Sequence, residues 1–407
     1  MSEHALTNQA AQELLRSRSW AAPDSVRALG GRALVVGGVG TLLLAVGFFV
    51  NRAQFFQAYL LAYIYCLLIA LGCLGVSMLH QMSRGAWGLV VRRVLEAGAR
   101  TLPYMALLFL PILFGMKELY PWTRPEMAAN ELIQHKAVYL NVPFFIARYA
   151  IYFALWCFLA WQLSRLSREQ DLQGPERGPE LARRMQVYAA PGLLIYCLTV
   201  SFAAFDWIMS IDPLWHSTIY GVYVIGCSGL ACFAFLNVIG IYLSRREPMQ
   251  QVLASRHFHD YGKLMLAFTM LWAYFSFSQF LIIWSGNLPE EIGFYLNRTN
   301  AGWKWLSVLL PLLHFALPFV LLLSRNLKRD APRLAKVAAF VLVMRFVDLY
   351  WQIAPNFNPQ SMVPHWQYFA AIAGLGGLWL WLFTRELASR PLLPVNAPEM
   401  EEAIGDA

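Results

Sequence analysis

Apolar residues run through this chain in long stretches separated by short polar breaks, the pattern of helices that cross a bilayer. A hydrocarbon core of roughly 30 Å is spanned by about 20 apolar residues in helix. Ten segments meet that length: 31–50, 54–79, 86–115, 138–164, 187–208, 217–244, 258–285, 303–324, 334–354 and 366–384. The pattern predicts an all-α, polytopic membrane protein with both termini on one side. The membrane domain covers 31–385, and the polar segments 1–30 and 386–407 are its tails. Arg16, Arg18 and Arg27 precede the first apolar run, so the first segment reads as a cytoplasmic tail rather than a cleavable signal peptide.

Basic residues divide unevenly between the two sets of connections. The tails and the connections after the second, fourth, sixth and eighth helices hold 22 of the 32 Lys and Arg. The opposite connections hold six (Arg52, Lys117, Arg124, Lys136, Arg298, Lys304), and four (Arg100, Arg148, Lys263, Arg345) fall inside helices. Positive charge marks the loops that stay in the cytoplasm, so an N-in, C-in topology follows. The net charge of +8 then reports topology and not nucleic-acid binding. With 58% hydrophobic and 14% charged residues, the chain is no ordinary soluble enzyme; soluble domains average about 25% charged. Two outer connections, Ser210 to Ser217 and Pro355 to Trp366, carry no Lys or Arg. They are either covered by another subunit or form short re-entrant turns.

The end of the fifth helix (Asp206 to Pro213) and that of the ninth (Asp348 to Pro355) both fit D-x4-I-x-P. This echo, if not chance, makes helices two to five (54–208) and six to nine (217–354) two parallel four-helix units, with the first and tenth helices as flanking additions.

Charges inside a bilayer cost several kcal/mol each and are functional candidates. Arg92, Glu96 and Arg100 are spaced i, i+4, i+8, which places a carboxylate between two guanidiniums on one helix face. His257, His259, Asp260 and Lys263 open the seventh helix, with His80 at the matching end of the second; together they suggest an inner polar funnel. Toward the outer side, Asp206 and Asp348 have Arg148 and Arg345 as available partners, and His314 falls between the two clusters near mid-membrane. Tyr274, Ser276, Ser278 and Gln279 could support a water chain along the seventh helix. The set reads as two proton half-channels through Glu96, Arg100, Arg148, Asp206, His259, Asp260, Lys263, His314, Arg345 and Asp348. The plain alternatives are that Arg92, Arg93 and Lys263 snorkel to the headgroups, that Glu96 with Arg100, or Arg345 with Asp348, is a structural helix pair, and that His314 only packs.

Cofactor motifs are missing. The six Cys, at 66, 73, 157, 197, 227 and 232, lie in apolar stretches and form no CxxC or CxxCH, which excludes covalent haem c and an iron–sulfur cluster held by this chain. One mid-membrane His does not supply the paired axial ligands of a b-type haem. No HExxH, P-loop or dinucleotide-binding motif is present.

Three segments carry a resemblance. Ser201 to Tyr223, containing Asp206-Trp207 and Asp212-Pro213-Leu214-Trp215-His216, is similar to the F subunit of bacterial alternative complex III. So are His259-Asp260-Tyr261-Gly262-Lys263 with its continuation to Gln279, and Trp87-Gly88 followed by Arg92-Arg93 and Glu96. The resemblance covers about 31–385, and the family is similar to the NrfD-like membrane subunits of polysulfide reductase. It implies a cofactor-free subunit of a quinol:cytochrome c oxidoreductase in the bacterial cytoplasmic membrane, which scaffolds the complex and conducts protons. It further implies that haem c and iron–sulfur clusters sit on partner subunits, and that a homologous membrane subunit takes the quinol. No nucleic acid is expected, and lipids are. Two other readings stay open: a stand-alone secondary transporter, weakened by helix breakers (Pro111, Pro191, Pro311, Pro318) that are scattered, and a purely structural membrane scaffold.

Overall fold

The computed structural model describes residue 15 and residues 19–127 and 129–405; Arg16 and Arg18 of the expected tail lie outside the described residues. Among the described residues there is no strand. Ten helices are long and apolar enough to cross a membrane. They are α1 Asp24–Val50, α2 Arg52–Ser83, α3 Arg92–Phe114, α4 Val142–Gln173, α5 Gly178–Trp207, α6 Tyr220–Ser244, α7 Ser255–Gly286, α8 Trp303–Leu323, α9 Ala331–Ile353 and α10 Trp366–Ala388. The chain is an all-α multi-pass membrane protein.

Several helix starts are set by polar caps. Asn51, Asn141 and Asp330 accept backbone N–H bonds from Gln54, Phe144 and Arg333 at 3.1, 2.9 and 3.1 Å. Helix ends differ from the apolar runs where polar side chains continue the helix. α1 begins at Asp24, not at 31. α4 runs on to Gln173 and α5 begins at Gly178, so most of the expected basic connection is helical. Ion pairs one turn apart, Arg165–Glu169 at 3.6 Å and Arg184–Glu180 at 2.7 Å, support these extensions, which hydropathy does not register. The third segment, expected as one helix over 86–115, is broken. Ala86–Leu89 is a separate turn, and α3 divides into Arg92–Ala99 and Leu102–Phe114. Pro103 has no N–H to bond the preceding turn, which favours the break at Arg100–Thr101. In α8, Pro311–Ala316 winds as a π-turn.

Helices α2 to α5 pack on one another, as do α6 to α9. Each unit has its first helix at the centre: α2 and α6 are apolar all round and almost entirely buried. They touch at Gly72, where a Cβ would lie 2.3 Å from the Ser228 carbonyl oxygen, and Ser228 donates to the Leu68 carbonyl at 2.8 Å. α1 and α10, the expected flanking additions, form a pair. They lie on each other through Gly37, Gly40, Gly374 and Gly377, where an added Cβ would strike the facing backbone. Small residues allow this approach, and dispersion over the contact holds the pair. α10 in turn rests on α2 and α3.

The described part of the C-terminal segment, expected as a polar tail, packs against the bundle. Leu392, Leu393, Ala397, Met400, Ala403 and Ile404 are buried. The Leu392 N–H donates to the Trp20 carbonyl at 2.7 Å, and the Asn396 amide donates to the Gln170 and Asp171 carbonyls at 3.1 and 3.0 Å. Apolar residues among the Pro and charges give the segment a buried side, a pattern too short and irregular to read from sequence.

The two connections without Lys or Arg are short 3-10 turns, Met209–Ile211 and Ala354–Asn356, leading into loop. The chain itself covers part of them. Trp215 stacks on Phe294 of the short helix Pro289–Leu296 at 4.1 Å, and Phe294 meets Trp351 edge-on at 6.0 Å.

Candidate functional site

Three groups of buried charges stand out: one near the end of the bundle that holds the described termini, and one at the D-x4-I-x-P end of each four-helix unit. The first is built around Glu96. Its carboxylate accepts from Arg92 at 2.9 Å and Arg93 at 2.7 Å. Arg93 also donates to Asp171 at 2.5 and 2.6 Å and to Ser167 at 2.6 Å, tying α3 to α4. Arg92 and Arg93 are buried to 3% and 2% exposure, so neither snorkels. Arg100 is not the second partner of Glu96 that the i+4 spacing suggested. The break in α3 turns it toward α10, where it pairs with Glu386 at 3.1 Å. Arg390 completes the group 4.0 Å from Glu96. Burial, with Arg100 beside it, draws the Arg390 guanidinium down to about 10. A cavity of about 400 Å³, lined by Arg84, Arg183 and Glu399, reaches His80 and Arg92.

The expected funnel of His80 with the start of α7 does not assemble. His80 bonds the Gly85 carbonyl at 3.0 Å and packs against Trp87, within the Arg92 cavity. His257 is buried, and its Nδ1 accepts the Ala254 N–H at 3.1 Å, a local cap. Asp260 and Lys263 form an exposed i,i+3 pair at 3.0 Å with side chains 44% and 56% accessible, and His259 beside them is half-buried.

In the first four-helix unit, Arg148 of α4 grips Asp206 of α5 with two bonds of 2.8 Å. Such a fork fixes orientation as well as charge. Tyr152, one turn beyond Arg148, donates to the same carboxylate at 2.8 Å. Arg148 also donates to the Tyr139 carbonyl at 2.9 Å and lies 3.8 Å over the Tyr139 ring. Burial and the Asp206 charge hold the Tyr139 phenol above its ordinary value. Asp206 is completely buried.

The second unit builds its carboxylate site with different parts. Arg345 and Asp348, both on α9, pair at 2.6 Å. Tyr223 of α6 donates to the carboxylate, 3.0 and 2.8 Å from its two oxygens. Gln352 and Trp272 donate to the Tyr223 hydroxyl at 3.0 and 3.3 Å. His314 sits in the π-turn of α8, with Nε2 3.4 Å from Arg345 Nη1 and its ring 4.4 Å from Trp272. It therefore belongs to the Asp348 group. Single-turn π segments recur at functional sites because they re-aim a side chain without ending the helix. Three buried atoms here, His314 Nδ1, Arg345 Nε and Gln352 Oε1, have no hydrogen-bond partner among the described residues.

Beside this group lies a cavity of about 490 Å³ between α7, α8 and α9. Its walls include Phe277, Phe280 and Phe315, and its polar lining includes Asp348, Gln352, Gln279 and Arg298. Ser276 and Gln279 of the expected α7 water chain face it, whereas Tyr274 is 64% exposed on the surface of the helix. Arg298, assigned by sequence to an outer loop, is fully buried. It donates to the carbonyls of Phe294, Trp351 and Gln352 at 2.6, 3.1 and 2.7 Å. Burial pulls its guanidinium down to about 9, against the opposing pull of Tyr220.

Sequence reasoning missed Tyr152, Tyr223, Gln352, Trp272 and Arg298. Tyr152 and Gln352 each stand i+4 from a flagged charge and were legible by helical spacing. Tyr223 and Trp272 stood only within the segments that carry the resemblance, and Arg298 was counted as a loop charge, because all three come from elements distant in the chain. No protein-family profile matches the chain, and no curated protein matches it significantly.

Proposed function

We propose that this protein is a cofactor-free membrane subunit of a bacterial respiratory quinol:cytochrome c oxidoreductase, of the alternative complex III F-subunit type, that scaffolds the complex and conducts protons. Haem c and iron–sulfur clusters then reside on partner subunits beside a homologous quinol-binding membrane subunit. The observation that carries the proton role is the Asp348 group. A titratable carboxylate and a histidine on a π-turn stand together with three buried polar atoms that lack a partner among the described residues. Such atoms are satisfied by internal water, and a water-linked carboxylate and histidine form the unit of a proton relay. Arg345 supplies the fixed counter-charge, Tyr223 and Gln352 orient the carboxylate, and Asp348 and His314 exchange the proton. Glu96 and its arginines, reached by the cavity at Arg84, form the entry at the other end.

The test has two parts. Extraction in mild detergent is expected to bring haem- and iron–sulfur-containing subunits with the chain; a colourless, monodisperse protein supports a transporter instead. Asp348→Asn in liposomes is expected to lower the proton-to-electron ratio while the complex assembles. An unchanged ratio sinks the relay.

The cavity favours a second reading, in which this chain itself receives a quinol head. Its volume and its few polar groups in an apolar lining suit a ring of that size. Ala273→Trp, which fills it, then slows quinol oxidation by the complex, whereas a complex in which this chain is only a relay oxidises quinol at the unaltered rate.

A further inference from the structure

Where the apolar spans of α6 and α9 give way to charged residues, the two helices frame a groove of about 440 Å³. Val238, Ile241, Tyr242 and Ala335 line it, and Arg245 and Arg246 form its rim. α6 ends at Ser244 and α9 starts at Ala331, so the rim sits at the level of lipid headgroups while the floor faces acyl chains. The rim is built rather than loose. The Tyr242 hydroxyl donates to the Ser25 carbonyl of α1 at 2.9 Å. The Arg246 guanidinium lies 3.6 Å over the Tyr242 ring and donates to the Tyr242 carbonyl at 2.6 Å. Arg246 is thereby held half-buried, and Arg245 beside it is exposed.

Among the described residues neither arginine has a carboxylate within ion-pair distance, in contrast to Arg92, Arg93, Arg100, Arg148 and Arg345 of the same chain. We propose that the groove holds an anionic phospholipid, with its phosphate between Arg245 and Arg246 and an acyl chain along Val238, Ile241 and Ala335. Two adjacent guanidiniums match a phosphate in charge and in fork geometry. Basic pockets between helix ends at the membrane surface are the setting in which anionic headgroups are recognised. The apolar floor decides for a lipid, because a free anion gains nothing from it. The site stands apart from the proton and quinol chemistry proposed above.

The experiment is intact-mass measurement of the full chain in mild detergent with added phosphatidylglycerol or phosphatidylcholine. The wild type is expected to retain phosphatidylglycerol over phosphatidylcholine by about tenfold or more, the order that two basic side chains at a membrane surface supply. Both the double variant R245Q/R246Q and the groove-filling variant Ala335→Trp are expected to lose that preference. Retention of the two lipids in equal amounts overturns the site, as does undiminished phosphatidylglycerol on either folded variant. Displacement of the lipid by millimolar inorganic phosphate also overturns it, by showing a free-anion site. If the double variant does not fold, Ala335→Trp carries the test alone.

Discussion

Asp206 and Asp348 occupy matching places in the two four-helix units, each five residues before an Ile-x-Pro turn, yet the protein has treated them differently. Asp206 is closed in. A guanidinium from the neighbouring helix covers both oxygens, a tyrosine one turn further along that helix adds a third bond, and nothing of the carboxylate is exposed. Asp348 takes its arginine from its own helix and a tyrosine from the central helix, and it lines a cavity with polar atoms left to bond. One site ties two helices together; the other keeps a carboxylate, a histidine and space for water in reach of each other. Two matching motifs thus each supply a carboxylate position, and the neighbouring helices decide whether it is tied to another helix or lines a cavity.

The contrast breaks most visibly at the arginines. Arg148→Met leaves a wholly buried carboxylate with only Tyr152, and removing one partner of a buried pair costs about 3–5 kcal/mol. Thermal unfolding in detergent is expected to show a larger loss for Arg148→Met than for Arg345→Met, because solvent entering the cavity can reach Asp348. Equal losses would erase the distinction between the closed and open sites. The tyrosines invert the order on a smaller scale. A hydrogen bond to a charged group contributes about 1.5–3 kcal/mol. Tyr223→Phe is expected to cost more than Tyr152→Phe, since it also strips Trp272 and Gln352 of their acceptor; a melting comparison of the two variants checks this. The smallest effect is expected at the exposed pair of Lys263 and Asp260. Lys263→Gln is expected to change stability by less than about 1 kcal/mol and to leave proton flux unaltered; a loss of flux would restore this end of α7 to the proton path.

Much of this architecture was legible in advance, for a specific reason. A bilayer admits only helices of sufficient apolar length, so the ten spans were readable while their polar extensions at 165–184 were not. Charges within such spans are rare enough that Arg148, Asp206, Arg345, Asp348 and Glu96 drew notice one by one. Their partners were another matter. Glu96 met Arg92 as helical spacing suggested, but Arg100 turned to Glu386 because α3 breaks between them. His80 and the start of α7, grouped by their shared level in the sequence, went to separate surroundings. The matching motifs gave no hint that, of two equally buried aspartates, one would be enclosed by the neighbouring helix and the other would line a cavity.

The sequence by itself determined that the chain lives in lipid, how many times it can cross, and which side chains are too costly there to be incidental, because each of these follows from the local cost of exposing a residue to hydrocarbon. Only the tertiary structure decided which charges share a bond, that α1 and α10 lie on each other, that residues 392–404 pack against the bundle, and that His314 joins Asp348. Those outcomes depend on which helix faces meet across the bundle and on where helices break or wind as π-turns. The energy differences that set them belong to pairs of residues far apart in the chain, and no single segment carries them.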